Sequence, residues 1–290
     1  MIYTISNDVL TVSVSSLGAE MQSVVYNKRE YLWQGDPAYW EQHSPILFPF
    51  VGRFTDGKYR YDGNCYPMSI HGFASSSDFA LADRTDTSVT LTLTDTPDTR
   101  AIYPFRFALH ITYALENEQI RITYRVKNRN DGVIYFGIGG HPGFNVPLEE
   151  NLSFEDYYLE FSQAHTPARV GHTPACFLSG TDTDFPLKNG KRLPLTHSMF
   201  DEDAIVLKNV ADEVTLKSDK STHFIRVSYP GLPYLGLWHA PKTNAPYLCI
   251  EPWSSLPSRQ DIVEDFRFKS DMIRLAAGCE YLTSWSITLR

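Results

Sequence analysis

The chain has few cysteines, and its four, Cys65, Cys176, Cys249 and Cys279, include no CxxC pair. That scatter excludes a structural zinc site, whose thiolates must be closely spaced, and a disulfide-dense scaffold. A reduced, cytoplasmic protein is expected. Basic runs are missing too: 26 Lys and Arg stand against 34 Asp and Glu, a net charge of -8. Nucleic acid and anionic membranes are therefore not expected partners, because phosphate-rich surfaces are bound through clustered cations. No apolar stretch approaches the roughly 18 residues of a membrane span, and the Met1-Ile2-Tyr3-Thr4 start has no basic-then-apolar leader, so neither insertion nor export is expected. HExxH and GxSxG are absent, which argues against a zinc hydrolase and a serine hydrolase. Helical periodicity is scarce, with single turns expected only near Asp36 to Gln42, Pro97 to Tyr103 and Arg259 to Val263.

What remains is strand. Apolar and polar residues alternate in Val9 to Val14, Val89 to Leu93, Phe107 to Leu115 and Ile120 to Val126. Phe107, Leu109, Ile111, Tyr113 and Leu115 share one face, as do Ile120, Ile122, Tyr124 and Val126, and Glu116 to Gln119 joins the two as an antiparallel hairpin. Asp56-Gly57, Asp62-Gly63, Asn189-Gly190 and Pro230-Gly231 supply turn chemistry between short runs. The eighteen prolines fall mostly between runs. Two packed antiparallel sheets in an all-β sandwich, forming one domain over 1–290, are predicted. Ala164 to Ser198, rich in Thr, Pro, Asp and His, reads as long loops.

Four segments break the alternation with reactive side chains beside Gly or Pro. Phe48-Pro49-Phe50-Val51-Gly52-Arg53 ends on an arginine able to reach into a cleft. His71 in Ser69-Ile70-His71-Gly72-Phe73 and His141 in Gly139-Gly140-His141-Pro142-Gly143-Phe144-Asn145 each stand on tight turns, where glycine permits close approach to a ligand. In Tyr247-Leu248-Cys249-Ile250-Glu251-Pro252-Trp253 a carboxylate follows an apolar run, so desolvation should raise its pKa above the usual value of about 4.3. Each has an ordinary alternative, namely a surface arginine, a hydrogen-bonded structural histidine, and a glutamate bridged to an arginine.

Taken in order, Gly-Arg, His-Gly-Phe, Gly-Gly-His-Pro-Gly-Phe-Asn and Glu-Pro-Trp-Ser resemble the aldose 1-epimerases, in particular their LacX-type branch. The resemblance runs from Leu17-Gly18-Ala19-Glu20 to Ser284-Trp285-Ser286. It implies a large antiparallel β-sandwich of the galactose mutarotase type. It also implies that Glu251 is a catalytic base, His141 a catalytic acid, His71 a second active-site histidine and Arg53 a sugar-binding arginine. Asp203, within Phe200-Asp201-Glu202-Asp203-Ala204-Ile205, matches a hydroxyl-binding aspartate, with Asp201 as its rival. Trp238 and Trp253 are aromatics for the cleft or the core. Gly52 stands where many sugar mutarotases carry asparagine, and the stretch from Arg53 to His71 is compact, which leaves the sugar open.

Anomer interconversion needs a base for the O1 proton and an acid for the ring oxygen O5, and no cofactor or metal is expected. A monomer or homodimer acting on a free aldose such as galactose or glucose is the expectation. Three alternatives stand beside it. A hexose-6-phosphate 1-epimerase would need more cations, for which Arg100, Arg106 or Lys242 could supplement Arg53. A non-catalytic carbohydrate-binding domain would have no use for both Glu251 and His141. A glycoside hydrolase would place Glu251 and Asp203 across a long open groove.

Overall fold

A computed structural model describes residues 1–290. Its two large antiparallel sheets follow from the alternation just described. One has nine strands, in the order Arg192–Pro194, Tyr158–Phe161, Glu213–Lys217, Phe224–Ser228, Glu280–Leu289, Gln119–Asn128, Phe107–Glu116, Ser88–Thr94 and Ala80–Arg84. The expected hairpin lies at its middle, with Leu109 opposite Val126 and Glu116 opposite Gln119. The other sheet has a path of seven strands: Thr183–Asp184, Ala168–Arg169, Ile205–Lys208, Tyr234–Trp238, Tyr247–Trp253, Gly139–Gly140 and Ile46–Leu47. Gly143–Asn145 also pairs with Tyr247–Trp253. A four-stranded N-terminal sheet spans Ile2 to Glu30.

Period-two alternation decides what each sheet buries. Ile111, Tyr113, Ile120, Ile122 and Tyr124 of the large sheet join Leu235, Leu237, Leu248 and Ile250 of the second in one core of 66 buried residues, drawn from Tyr3 to Leu289. The opposite face of the second sheet is left for the site.

The turns mostly behave as their chemistry requires. Asp62 and Gly63, both at positive φ, close the hairpin of Lys58–Tyr61 and Asn64–Pro67. Pro230-Gly231 instead carries the chain from the nine-stranded sheet to the second sheet. Pro97–Ile102 is a helix because Thr96 and Thr99 cap it reciprocally and proline occupies its first turn. Asp36 to Gln42 keeps one turn, in which Tyr39 and Trp40 donate backbone bonds to the Asp36 carbonyl. The turn expected at Arg259 to Val263 is not helical: Arg259 bridges Leu178 in extended form, tying that segment to the long loop. Ala164 to Ser198 is mostly loop, with short strands at Ala168–Arg169, Thr183–Asp184 and Arg192–Pro194.

Candidate active site

The register of the second sheet builds the floor of the site. Gly139 pairs with Trp253 and Gly143 with Cys249, so His141 falls directly opposite Glu251. On the other flank Glu251 faces Gly236, and Gly236 faces Val206. On the far side His141 donates its backbone N–H to the Pro45 carbonyl at 3.1 Å. Directly opposed residues project from the same face, so Val206, Gly236, Glu251, His141 and Pro45 form one transverse row. All but Gly236 line a single cavity of about 440 Å³, a size suited to a small organic ligand.

Cross-strand opposition brings Nε2 of His141 to 3.2 Å from Oε2 of Glu251. Both side chains are nearly buried, and neither oxygen of Glu251 nor Nδ1 of His141 has an aligned hydrogen-bond partner. Buried polar atoms without partners are rare. Here they face a cavity that a ligand could fill. Burial holds the Glu251 carboxyl well above the usual carboxylate range against the opposing pull of the nearby Trp253 indole, with Asp203 adding to the rise, and holds His141 well below the usual imidazole range, helped by His71. Trp40 and Trp238 pack against the His141 ring at 5.0 and 5.7 Å between centroids, fixing its orientation.

The glycines around His141 serve protein atoms. A Cβ on Gly139 would stand 2.8 Å from the Trp253 ring, and one on Gly140 2.7 Å from Trp285. Trp253, 4% exposed, is thereby held as part of the wall, whereas Trp238 and Trp40 are half-buried and present more surface to the cavity.

Arg53 and His71 come from two loops stitched together. His71 donates its N–H to the Gly52 carbonyl at 2.7 Å, and Gly52 donates its own N–H to Nδ1 of His71 at 3.1 Å. Accepting at Nδ1 places the imidazole proton on Nε2, so the ring is a fixed donor. Burial and the Arg53 guanidinium lower its pKa to about 4. His71 sits at φ +63, a left-handed conformation that a non-glycine residue holds at a cost. Arg53 makes no ion pair within 4.0 Å and is half-buried in the cavity wall.

All seven residues singled out in the sequence, Glu251, His141, His71, Arg53, Asp203, Trp238 and Trp253, line this cavity. Asp203 is the cavity residue of its acidic triplet together with Glu202, while Asp201 lies outside. Trp40, Gln42, His172 and Cys176 also line it and carry no local motif. Proximity to Gly or Pro could not single them out, and only the loop following Ala164, already rich in polar residues, hinted at His172 and Cys176. His239, adjacent to Trp238, points to the other side and packs with His197, Phe200 and Tyr247.

Comparison with known proteins agrees with this geometry. The family model described as Aldose 1-epimerase matches residues 1–286. The chromosomal protein LacX of Lactococcus lactis subsp. lactis is 34% identical over 277 residues, covering 91% of this chain and 92% of that protein. A solved galactose mutarotase related enzyme from Lactobacillus acidophilus superposes with a TM-score of 0.95 at 34% identity, over 100% of this chain and 97% of that one. A galactose mutarotase-like protein from Lactobacillus casei gives the same TM-score and identity over the full length of both. With the fold, the motif order and the whole-chain match in agreement, the chain belongs to the aldose 1-epimerase family.

Proposed function

We propose that the protein interconverts the α and β anomers of a free aldose such as glucose or galactose, with Glu251 and His141 moving the protons. The carrying observation is the buried, unpartnered pair held 3.2 Å apart at the floor of the cavity. Ring opening needs one group that accepts the O1 proton and one that donates to O5. A pair holding a single proton supplies both. In the complex with the cyclic sugar, Glu251 as carboxylate accepts from O1–H and His141 as imidazolium donates to O5. Transfer of both protons opens the hemiacetal to the aldehyde and leaves both side chains neutral. Rotation about C1–C2 presents the other carbonyl face, and the reverse transfers close the ring.

Burial gives this cycle its direction of help. It disfavours the charged forms of both residues, so the neutral pair present with the open-chain aldehyde is stabilised relative to the charged pair of the cyclic complex. Interactions that strengthen along the reaction lower the barrier, and a positioned acid or base contributes roughly 10²- to 10⁴-fold. Arg53 and the Nε2–H of His71 would orient ring oxygens, Asp203 would accept from hydroxyls, and Trp40 and Trp238 would flank the pyranose.

Charge bears on the choice between free and phosphorylated sugars. Arg53 is the one Lys or Arg among the lining residues, facing Glu202, Asp203 and Glu251. Arg100 pairs with Asp95 at the helix, and neither Arg106 nor Lys242 lines the cavity. A dianionic phosphate would meet too little compensating charge. A cavity of about 440 Å³ also suits a monosaccharide better than the long groove of a polymer hydrolase. The test is polarimetry with freshly dissolved α-glucose, α-galactose and glucose 6-phosphate. Acceleration over buffer is expected for a free sugar and little for the phosphate. Acceleration confined to the phosphate would overturn the assignment.

A further inference from the structure

Asp203 is more constrained than a carboxylate on an open loop. It occupies φ +78, one Oδ accepts the Ala204 N–H at 2.8 Å, and the other accepts the Cys176 thiol at 3.0 Å. Cys176 is itself at φ +62 and, like Asp203, lines the cavity. Two non-glycine residues in left-handed backbone, facing each other across a side-chain bond, form the kind of strained arrangement that clusters at ligand-binding sites. Burial and the Asp203 carboxylate push the thiol up to about 11, so it remains a donor at any working pH.

A carboxylate offers about four acceptor positions. Ala204 and Cys176 take one on each oxygen, leaving about one apiece, and the thiol fixes the rotation of the plane that carries them. We infer that Cys176 is a positioning residue that aims the Asp203 carboxylate at the sugar and thereby helps set which aldose the cavity prefers. This rests on the reading of Asp203 as a hydroxyl acceptor. Cys176 touches neither O1 nor O5 in that scheme, so its effect falls on binding and not on proton transfer.

The experiment compares wild type with Cys176→Ala and Cys176→Ser, measuring kcat and KM for glucose and galactose and Kd for both sugars by calorimetry. Cys176→Ala should raise KM and Kd about three- to tenfold, as expected for losing a weak S–H donor to a charged acceptor. It should leave kcat within about twofold and change the galactose-to-glucose ratio. Cys176→Ser, which restores a donor, should recover most of the loss. In an Asp203→Asn background Cys176→Ala should cost little more, since coupled residues are not additive. Unchanged Kd and KM in Cys176→Ala, or a serine variant no better than alanine, would reduce the thiol to packing and overturn the inference while leaving the epimerase reading intact. Wild type that binds sugar without accelerating mutarotation would overturn that reading, and the Kd series would still judge Cys176. Wild type that binds neither sugar would overturn both.

Discussion

Replacing His71 with asparagine should flatten the acid limb of the protein's thermal stability. In the folded chain His71 titrates at about 4, against 6.5 for an unperturbed imidazole. Below pH 6.5 the unfolded chain therefore takes up a proton that the folded chain refuses. Because the depressed group is neutral when folded, its contribution is fully present above pH 6.5, falls as pH drops, and levels off below about 4. By pH 4.5 the loss amounts to roughly 2.5 kcal/mol at about 1.4 kcal/mol per pH unit. His71 is only half-buried by surface area, so solvent screening makes this an upper figure. For a chain of this size an unfolding entropy of roughly 0.6 kcal/mol/K converts it to about 4 °C. Asparagine keeps an acceptor near the position of Nδ1 for the Gly52 N–H and does not titrate. Thermal melts of both proteins at pH 7.5 and 4.5 read the difference in slope, with the other histidines common to both. Equal slopes would refute the burial of a neutral His71 beside Arg53.

Catalysis should show a different pH signature. Activity needs the one-proton state of the Glu251–His141 pair, and burial delays both uptake of a second proton and loss of the last. kcat/KM should stay flat across neutrality and fall on the acid side only below pH 6.5; an acid limb centred at or above 6.5 would contradict the pairing. Gly52→Ala places a Cβ 2.5 Å from Pro257 at φ +78, which should cost roughly 1–3 kcal/mol in thermal melts and raise KM, because Arg53 and His71 are both hung from this residue. Arg53→Ala should raise KM about tenfold with kcat nearly unchanged, as expected for loss of a ground-state contact; a fall in kcat alone would assign it to the chemistry instead.

Much of the fold was legible because alternation is a direct record of which face is buried. The Phe107–Glu116 and Gln119–Asn128 hairpin appears within a residue or two of its expected ends. The order of strands in each sheet was not legible, since the pairing of Phe224–Ser228 with Glu280–Leu289 joins segments more than fifty residues apart. The motif residues are legible through Gly and Pro, but the protein atoms those glycines approach are not: Gly139 admits Trp253, Gly140 admits Trp285, and Gly72 admits the Phe48 backbone. The opposition of His141 and Glu251 depends on a register that no local pattern encodes. The rival Asp201 could be set aside only once the loop from Phe200 to Ala204 was seen to turn Asp203 inward at positive φ. Trp40 and Gln42 reach the cavity from a loop whose composition resembles any other surface loop.

The most direct test of the central claim is the rate at which α-galactose and α-glucose approach their anomeric equilibrium with wild type, Glu251→Gln and buffer alone. Glutamine keeps the shape of the side chain beside His141 but cannot take the O1 proton. kcat should fall roughly 10²- to 10⁴-fold, with the melting temperature held or raised because a buried ionisable carboxyl has been removed. Turnover by the glutamine variant equal to wild type would contradict the assignment of Glu251 as the base.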